Sequence, residues 1–248
     1  MSAPARPVTA VLVGASGRMG RALLAAGAAR PELRWVGAIA SPTSGALGSE
    51  VAPGLRISAD LAAVLPAQVV IDFSHPSATR TTLRDCRAAR SPLLLGTTGQ
   101  GASLEADFAA AAREIPLLIA PNTSLGVTVL LELAALAAGA LPAHHAAIRE
   151  VHHRGKRDAP SGTALALAAA VRQGHHAASI PIQSEREGEV IGEHRLSLEG
   201  EGEILAFTHR ALDRGLFARG ALAAALWLAS RPPGRYAMRD MLFGKTKT

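Results

Sequence analysis

Lysine is nearly missing from this sequence of 248 residues: of its 26 basic side chains, all but Lys156, Lys245 and Lys247 are arginine. Cysteine occurs once, at Cys86, which excludes an internal disulfide and any paired-cysteine metal centre. Nothing therefore calls for an oxidising compartment, and a cytoplasmic setting is expected. Aromatic residues make up 3% of the chain. Between positions 150 and 230 only Phe207, Phe217 and Trp227 occur, and they form no stacking series. The formal charge of +6 thus reads as an arginine-rich coding bias rather than a nucleic-acid footprint. Long apolar runs are absent as well. The stretch 130–141 is too short to span a bilayer, and the first residues lack the basic-then-apolar order of a secretory signal. Neither a nucleic acid nor a membrane is an expected partner.

What is present is the composition of a globular protein, 48% hydrophobic and 19% charged, with its 24 glycines and 15 prolines spread out. The length suits one large or two small domains. Over the first 120 residues, short apolar runs alternate with amphipathic stretches. Strands are expected at 8–13, 33–40, 68–73, 92–95 and 116–120, and helices at 18–29, 76–90 and 103–113, with Ser74 and Ser77 or Ser103 and Glu105 available as caps. That rhythm predicts an α/β, Rossmann-like parallel sheet; the segment 45–66 is less regular. After Asn122 the pattern changes. A helix at 125–141, a strand at 146–153, a helix at 161–172 and extended runs at 180–186, 189–198 and 203–209 predict a second, α+β domain with an open mixed sheet. The apolar helix 217–229 is expected to return to the first domain. The predicted division is 1–123 with 217–248 for dinucleotide binding, and 124–216 for substrate binding and oligomerisation.

Directly after the first strand stands Gly14-Ala15-Ser16-Gly17-Arg18-Met19-Gly20, followed by a helix. Glycines at a strand-to-helix turn let the chain reverse, let backbone N–H groups reach a pyrophosphate, and let the helix pack closely. The helix N-terminus then favours the phosphate charge, and Arg18 adds a cation there. The second strand ends at Ser41-Pro42 without the carboxylate that grips an unphosphorylated ribose. Ser41, Thr43 and Ser44 offer hydroxyls to a 2′-phosphate instead, so NADPH is the expected preference with NADH still usable. Gly96-Thr97-Thr98-Gly99 and Ala120-Pro121-Asn122-Thr123 fall at strand ends on the same edge, where such sheets bind ligands.

The most specific segment is Glu150-Val151-His152-His153-Arg154-Gly155-Lys156-Arg157-Asp158-Ala159-Pro160-Ser161-Gly162-Thr163. It ends a strand, crosses a turn and opens a helix for which Ser161 is the expected N-cap, so that N–H groups near Gly162 and Thr163 are expected to hold a carboxylate. Alternation puts Ile148, Glu150 and His152 on one face of the strand and Arg149, Val151 and His153 on the other. With His152 and His153 opposed and no third ligand at suitable spacing, no metal centre is expected. Lys156 stands out because a lysine, unlike an arginine, gives up its proton.

This segment resembles the E-x-H-H-R-x-K-x-D-A-P-S-G-T signature of the dihydrodipicolinate reductase family. The resemblance extends through Gly14–Gly20, Asp72-Phe73-Ser74, Gly96–Gly99, Asn122–Gly126, Gly192-Glu193-His194 and 209–221, in the family's order over nearly the whole chain. It implies a homotetrameric reductase of the diaminopimelate route to lysine that acts on a cyclic dicarboxylate imine with NADPH or NADH. It further implies His152 as general acid/base, Lys156 as proton donor, and His153, Gly162 and Thr163 as substrate-carboxylate contacts. Residues 14–19, 96–98 and 120–123 match the cofactor contacts. Three departures stand out: Ser41-Pro42 in place of an acidic-plus-basic pair, Thr123 where some members carry an aromatic residue, and a shortened connection, 174–179, before the strand at Ile180. A nicotinamide-sensing regulator would keep the glycine turn without needing His152 and Lys156 together, and a dehydrogenase of another small acid is the other alternative.

Overall fold

The computed structural model describes residues 6–174 and 179–244, with Ala102 as backbone only; positions 175–178 of the shortened connection lie outside the described residues. The elements are β1 (Val8–Val13), α1 (Arg18–Gly27), β2 (Leu33–Ile39), β3 (Glu50–Ala52), β4 (Leu55–Ser58), β5 (Val69–Asp72), α2 (Thr79–Ala88), β6 (Leu93–Leu95), α3 (Glu105–Ala112) and β7 (Pro116–Ile119). There follow α4 (Leu125–Ala140), β8 (His145–His152), α5 (Gly162–Gly174), β9 (Ile182–Arg186), β10 (Glu193–Gly200), β11 (Glu203–Arg210), α6 (Gly215–Leu228), β12 (Gly234–Tyr236) and α7 (Met238–Phe243). They form two compact units, 1–123 with 217–248 and 124–216.

The first unit is a sheet in the order β12-β7-β6-β5-β1-β2-β4-β3, parallel except for the β3–β4 hairpin. Its central strands are apolar on both faces, as a parallel sheet covered by helices requires. Leu12, Ile71, Leu94 and Leu118 face one core with Leu23 and Leu24 of α1 and Ala221 and Leu222 of α6. The alternate positions Val11, Val70, Leu93, Leu95 and Leu117 face the other with Leu83 and Cys86 of α2 and Phe108 and Ala111 of α3. Each buried Leu or Ile is worth roughly 1.5–3 kcal/mol of transfer free energy. In α1 the buried positions Gly20, Leu23, Leu24 and Gly27 fall at helical spacing, which sets which side of the helix meets the sheet.

The second unit has the strand order β11-β10-β8-β9, antiparallel except for the parallel β8–β9 pair. Ile148 of β8 and Leu196 and Leu198 of β10 bury their side chains with Leu130, Ala134 and Ala138 of α4 and Leu167 and Val171 of α5. Ser124 caps α4, its hydroxyl oxygen accepting from Val127 N–H at 3.2 Å. The outer strand β11 is largely exposed along its length.

Several local expectations shift. The segment 45–66 contains the β3–β4 hairpin, turned at Gly54 (φ +73°) with Glu50 Oε1 accepting the Gly54 N–H at 2.9 Å; a pair this short and exposed leaves no apolar period. β9 begins at Ile182 because Pro181 has no N–H for the ladder, although its carbonyl still accepts from Ile148 N–H at 3.0 Å. The turn before α2 is capped by His75, whose Nδ1 accepts from Ser77 N–H at 3.3 Å, and Ser103 caps nothing at the start of α3. β12 and α7 were not expected, being short. Among the described residues no helix is long and apolar enough to cross a membrane.

Candidate active site

In the first unit, the order of strands reverses at β1: β2 lies on one side and β5 on the other. A cleft opens beyond the carboxyl ends of such strands. Here it measures about 530 Å³ and is lined by Arg18, Met19, Gly96, Thr97, Thr98, Pro121, Asn122 and Thr123, together with Phe73, Ser74 and Phe217. Gly14 turns the chain at φ +89°, and a Cβ there would lie 2.4 Å from the Phe73 carbonyl oxygen. The turn is tied to β2 by the N–H groups of Gly14 and Ala15, both donated to Ile39 O at 2.8 and 2.9 Å, while Gly17 N–H goes to Gly14 O. Gly14, Ala15 and Gly17 therefore shape the turn, and a helix start offers its first-turn N–H groups, here those of Arg18, Met19 and Gly20, to an anion. Gly17 supplies no side-chain cap to compete with such a ligand. Ser16 is half-buried on the turn, where its carbonyl accepts from Arg21 at 2.7 Å.

The opposite wall is built around Asp72, fully buried at the end of β5. Its Oδ1 accepts from Ser74 N–H at 2.8 Å and from Thr97 Oγ1 at 3.1 Å, and Thr97 Oγ1 in turn accepts from Ser74 N–H at 3.0 Å. Burial pushes the Asp72 carboxyl above the ordinary aspartate range, against these hydrogen bonds. At Gly96 a Cβ would stand 2.2 Å from the Phe73 ring, so the chain there passes flush beneath the cleft wall. Thr123 is anchored by donating its hydroxyl to Phe217 O at 2.7 Å, and Ala120 is buried behind it. Ser41 lies outside the cleft lining, its hydroxyl engaged with Thr43 Oγ1 at 3.0 Å and Thr43 N–H at 3.3 Å. Phe73, Ser74 and Phe217 were missed as lining residues; the Asp72-Phe73-Ser74 motif at a strand end was the signal for the first two, and the 209–221 segment for the third.

In the second unit, β8 delivers Glu150 and His152 onto the face that upstream carries Ala146 and Ile148, so the sheet turns from apolar to ionisable at its end. Register places His194 of β10 directly opposite Glu150, and Arg186 of β9 opposite His152. Glu150 is fully buried, with Oε1 accepting from Ser161 N–H at 3.0 Å and lying 3.6 Å from the Arg186 guanidinium. Its Oε2 is 3.5 Å from His152 Nδ1 and 3.6 Å from His194 Nε2. Burial favours the neutral form of this carboxyl, but donors, Ser161 foremost, outweigh it and hold the group below the usual glutamate range. Desolvation lowers His152, against the pull of Glu150, and brings His194 down to about 4.

Beyond β8, Lys156 Nζ forms a two-pronged ion pair with Asp158, 2.9 Å to each oxygen, which lowers the Asp158 carboxyl. Arg186 straps this loop, donating to the carbonyls of Lys156 at 3.3 Å and Asp158 at 2.5 Å. Ser161 caps α5 as expected, accepting from Ala164 N–H at 3.2 Å. Gly162 is exposed with open space where a Cβ would be, Thr163 is half-buried beside it, and His153 is half-exposed at the start of the loop. Glu150, Arg186 and His194 were missed as site residues. The expectation that no third ligand lies near His152 overlooked register: ligand atoms of Glu150, His152 and His194 fall within 4.8 Å of one another.

Residues 8–123 match the family model "Dihydrodipicolinate reductase, N-terminus" and residues 126–242 match "Dihydrodipicolinate reductase, C-terminus". The 4-hydroxy-tetrahydrodipicolinate reductase of Alkalilimnicola ehrlichii is 42% identical over 93% of this chain and 97% of its own. That of Xanthomonas campestris pv. campestris is 43% identical over 95% and 98%. A dipicolinate-bound dihydrodipicolinate reductase from Paenisporosarcina sp. TG-14 shares the fold with a TM-score of 0.81 at 21% identity, over 96% of this chain and 99% of that one. With both halves matched end to end and every motif in place, the chain belongs to the dihydrodipicolinate reductase family.

Proposed function

We propose that this chain is a 4-hydroxy-tetrahydrodipicolinate reductase. It reduces the cyclic, unsaturated dicarboxylate imine derived from that compound to tetrahydrodipicolinate, in the diaminopimelate route to lysine. The observation that carries this reading is the loop 152–163, where an acid/base imidazole, the one lysine of the described chain and a capped helix start follow one another between β8 and α5. A bound nicotinamide dinucleotide supplies the hydride. The first unit is its binding unit: first-turn N–H groups of α1 and Arg18 take the pyrophosphate, and the flush chain at Gly96 and the wall of Thr97, Thr98, Pro121, Asn122 and Thr123 position the ring.

Hydride addition to a ring carbon of a conjugated imine leaves an electron pair that an acid must protonate, and this is the work of His152 and Lys156. Lys156 is held by Asp158 at the surface, an arrangement worth about 1 kcal/mol or less, so a substrate carboxylate replaces that partner at little cost and frees the ammonium to donate its proton. His153 and the N–H groups at Gly162 and Thr163 take the substrate carboxylates. Two further parts of this proposal are the preference for NADPH over NADH, which rests on Ser41 in place of an acid, and a homotetramer. The tetramer would be built through the second unit's sheet, whose outer strand β11 and the turn after it expose Ile204, Leu205 and Leu212. The compartment proposed is the cytoplasm, in keeping with the single, buried cysteine.

The test is NADPH absorbance with freshly made 4-hydroxy-tetrahydrodipicolinate. Oxidation of NADPH that depends on this substrate supports the assignment. Nucleotide binding without turnover would favour a sensing regulator, and turnover only with another small acid would favour a different dehydrogenase.

A further inference from the structure

The proposed roles of His152 and Lys156 leave Glu150 and His194 unexplained, although both are buried and ionisable. Burying a carboxylate is costly unless its oxygens are supplied with donors. Oxygen Oε1 has Ser161 N–H at 3.0 Å and the Arg186 guanidinium at 3.6 Å. Oxygen Oε2 has no hydrogen bond within normal limits, and neither has His152 Nδ1, yet the two face each other at 3.5 Å. These are complementary orphans: a carboxylate oxygen only accepts, so a proton on Nδ1 satisfies both atoms, whereas a proton on Nε2 leaves the Nδ1 lone pair facing the carboxylate even when the Ser184 hydroxyl, opposite Glu150 on β9, donates to that group.

His194 approaches the same oxygen from the facing strand, with Nε2 3.6 Å from Glu150 Oε2 and 3.2 Å from Ser161 Oγ. Its ring meets that of His152 edge-on at 5.0 Å. A proton on His194 Nε2 points at two oxygens, whereas one on Nδ1 would be buried without a partner. On the far side of His152, a Cβ at Gly192 would lie 3.1 Å from Nε2, so any other residue there would crowd the ring's outward nitrogen.

We infer that Glu150 and His194 are positioning residues for His152: the Glu150 carboxylate holds the imidazole proton on Nδ1, His194 steadies that carboxylate with an N–H from β10, and His152 Nε2 is left as the atom that exchanges protons. The inference rests on the acid/base reading of His152. Its electrostatics are consistent. Glu150 and, from the loop, Asp158 favour the imidazolium, while Lys156 from the loop and Arg186 from β9 oppose it. His194, also beside His209 and brought down to about 4, is uncharged at neutral pH. It therefore gives Glu150 a donor without cancelling the charge that supports His152.

Glu150→Gln separates these terms. The Ser161 N–H and the Arg186 guanidinium orient the amide oxygen toward themselves, so the new NH₂ group faces His152 Nδ1 and can only donate. The imidazole proton must then move to Nε2. In ¹⁵N-histidine NMR of the intact enzyme, the wild type should show His152 protonated on Nδ1, and Glu150→Gln should show it on Nε2. Turnover should fall by about 10²-fold, with the acid limb of its pH profile moved and KM for NADPH unchanged. A His194→Ala enzyme should keep the Nδ1 proton and shift the His152 titration to higher pH, because Glu150 then has one donor fewer. Wild-type His152 carrying its proton on Nε2 overturns the inference whatever the variants do. So does a tautomer that Glu150→Gln leaves unchanged, or a stoichiometric divalent ion in the purified enzyme that occupies the three groups. A flipped tautomer with undiminished turnover would overturn instead the acid/base reading of His152, which His152→Gln tests separately.

Discussion

The cleft of the first unit and the β8–α5 loop of the second are built from different materials. The cleft holds one cation, Arg18, and otherwise uncharged groups, from backbone and hydroxyls to Met19, Asn122 and the rings of Phe73 and Phe217, while the buried acid behind it, Asp72, fastens Ser74 and Thr97. Around the loop stand Glu150, His152, His194 and Arg186, set by strand register, and the Lys156–Asp158 ion pair, set within a few residues. One site is built of neutral surface and the other of charge. Added atoms should therefore damage the first, and removed charges the second.

The largest effect tests the second half of that statement. His152→Gln and Lys156→Ala should each lower kcat by roughly 10²–10⁴-fold, the usual share of proton transfer, while nucleotide affinity measured by fluorescence titration stays the same. Near-normal turnover in Lys156→Ala would remove the proton-donor role. Next in size, pyridine-2,6-dicarboxylate should inhibit competitively with substrate, and its monocarboxylate analogue should bind about 10–100-fold more weakly, for the loss of one charge-assisted hydrogen-bonded group. Equal inhibition would show that the loop does not count two carboxylates. In the cleft the converse change, Gly96→Ala, adds one carbon 2.2 Å from the Phe73 ring; it should raise KM for NADPH by about tenfold and leave kcat nearly alone.

The contrast also explains which features could be read in the sequence. Apolar alternation and the glycine turn located β1, α1 and the parallel sheet because local periodicity encodes them, and β1 occupies residues 8–13 as expected. Likewise the alternation of Ile148, Glu150 and His152 put three side chains on one face. What alternation along one strand cannot give is the neighbour across the sheet. His194 meets Glu150 only through the β8–β10 register, which joins strands separated in the chain by α5 and β9 and is fixed by packing, so the buried cluster was invisible although each of its members was in view. The fate of the Gly14 and Ala15 N–H groups was hidden for the same reason: Ile39, which accepts both, lies on another strand.

A smaller effect concerns Asp72. Burial raises its carboxyl pKa in the folded protein, so the native state holds the proton more tightly than the unfolded chain does. Stability from this group is then fully present below the ordinary aspartate value and is lost as pH rises through the raised folded value. Asparagine keeps the oxygen that accepts from Ser74 and Thr97 and does not titrate. The stability of Asp72→Asn relative to wild type should therefore improve as pH rises from the ordinary aspartate value through the raised folded one in paired urea melts. A difference that stays constant with pH would show that Asp72 does not titrate differently in the two states.

The smallest effect lies at the rim, where the sequence departs from part of its family. An acid at the end of β2 grips the two hydroxyls of an unphosphorylated ribose and repels a 2′-phosphate; Ser41 does neither. Its hydroxyl is already engaged with Thr43, and Pro42 has no N–H to offer, so the rim presents few donors and no carboxylate. On the proposed reading, the absence of repulsion makes NADPH the expected preference, and the scarcity of donors keeps the expected margin small, so NADH should stay usable. Ser41→Glu restores a carboxylate at an exposed position. There a like-charge contact costs about 1 kcal/mol, or about fivefold in relative kcat/KM. The ratio of kcat/KM for NADPH over NADH should accordingly fall by about that factor, through KM for NADPH rather than kcat. A wild-type enzyme that strongly prefers NADH, or a Ser41→Glu enzyme with an unchanged ratio, would show that cofactor choice is made elsewhere in the cleft, with Arg18 the next side chain to replace.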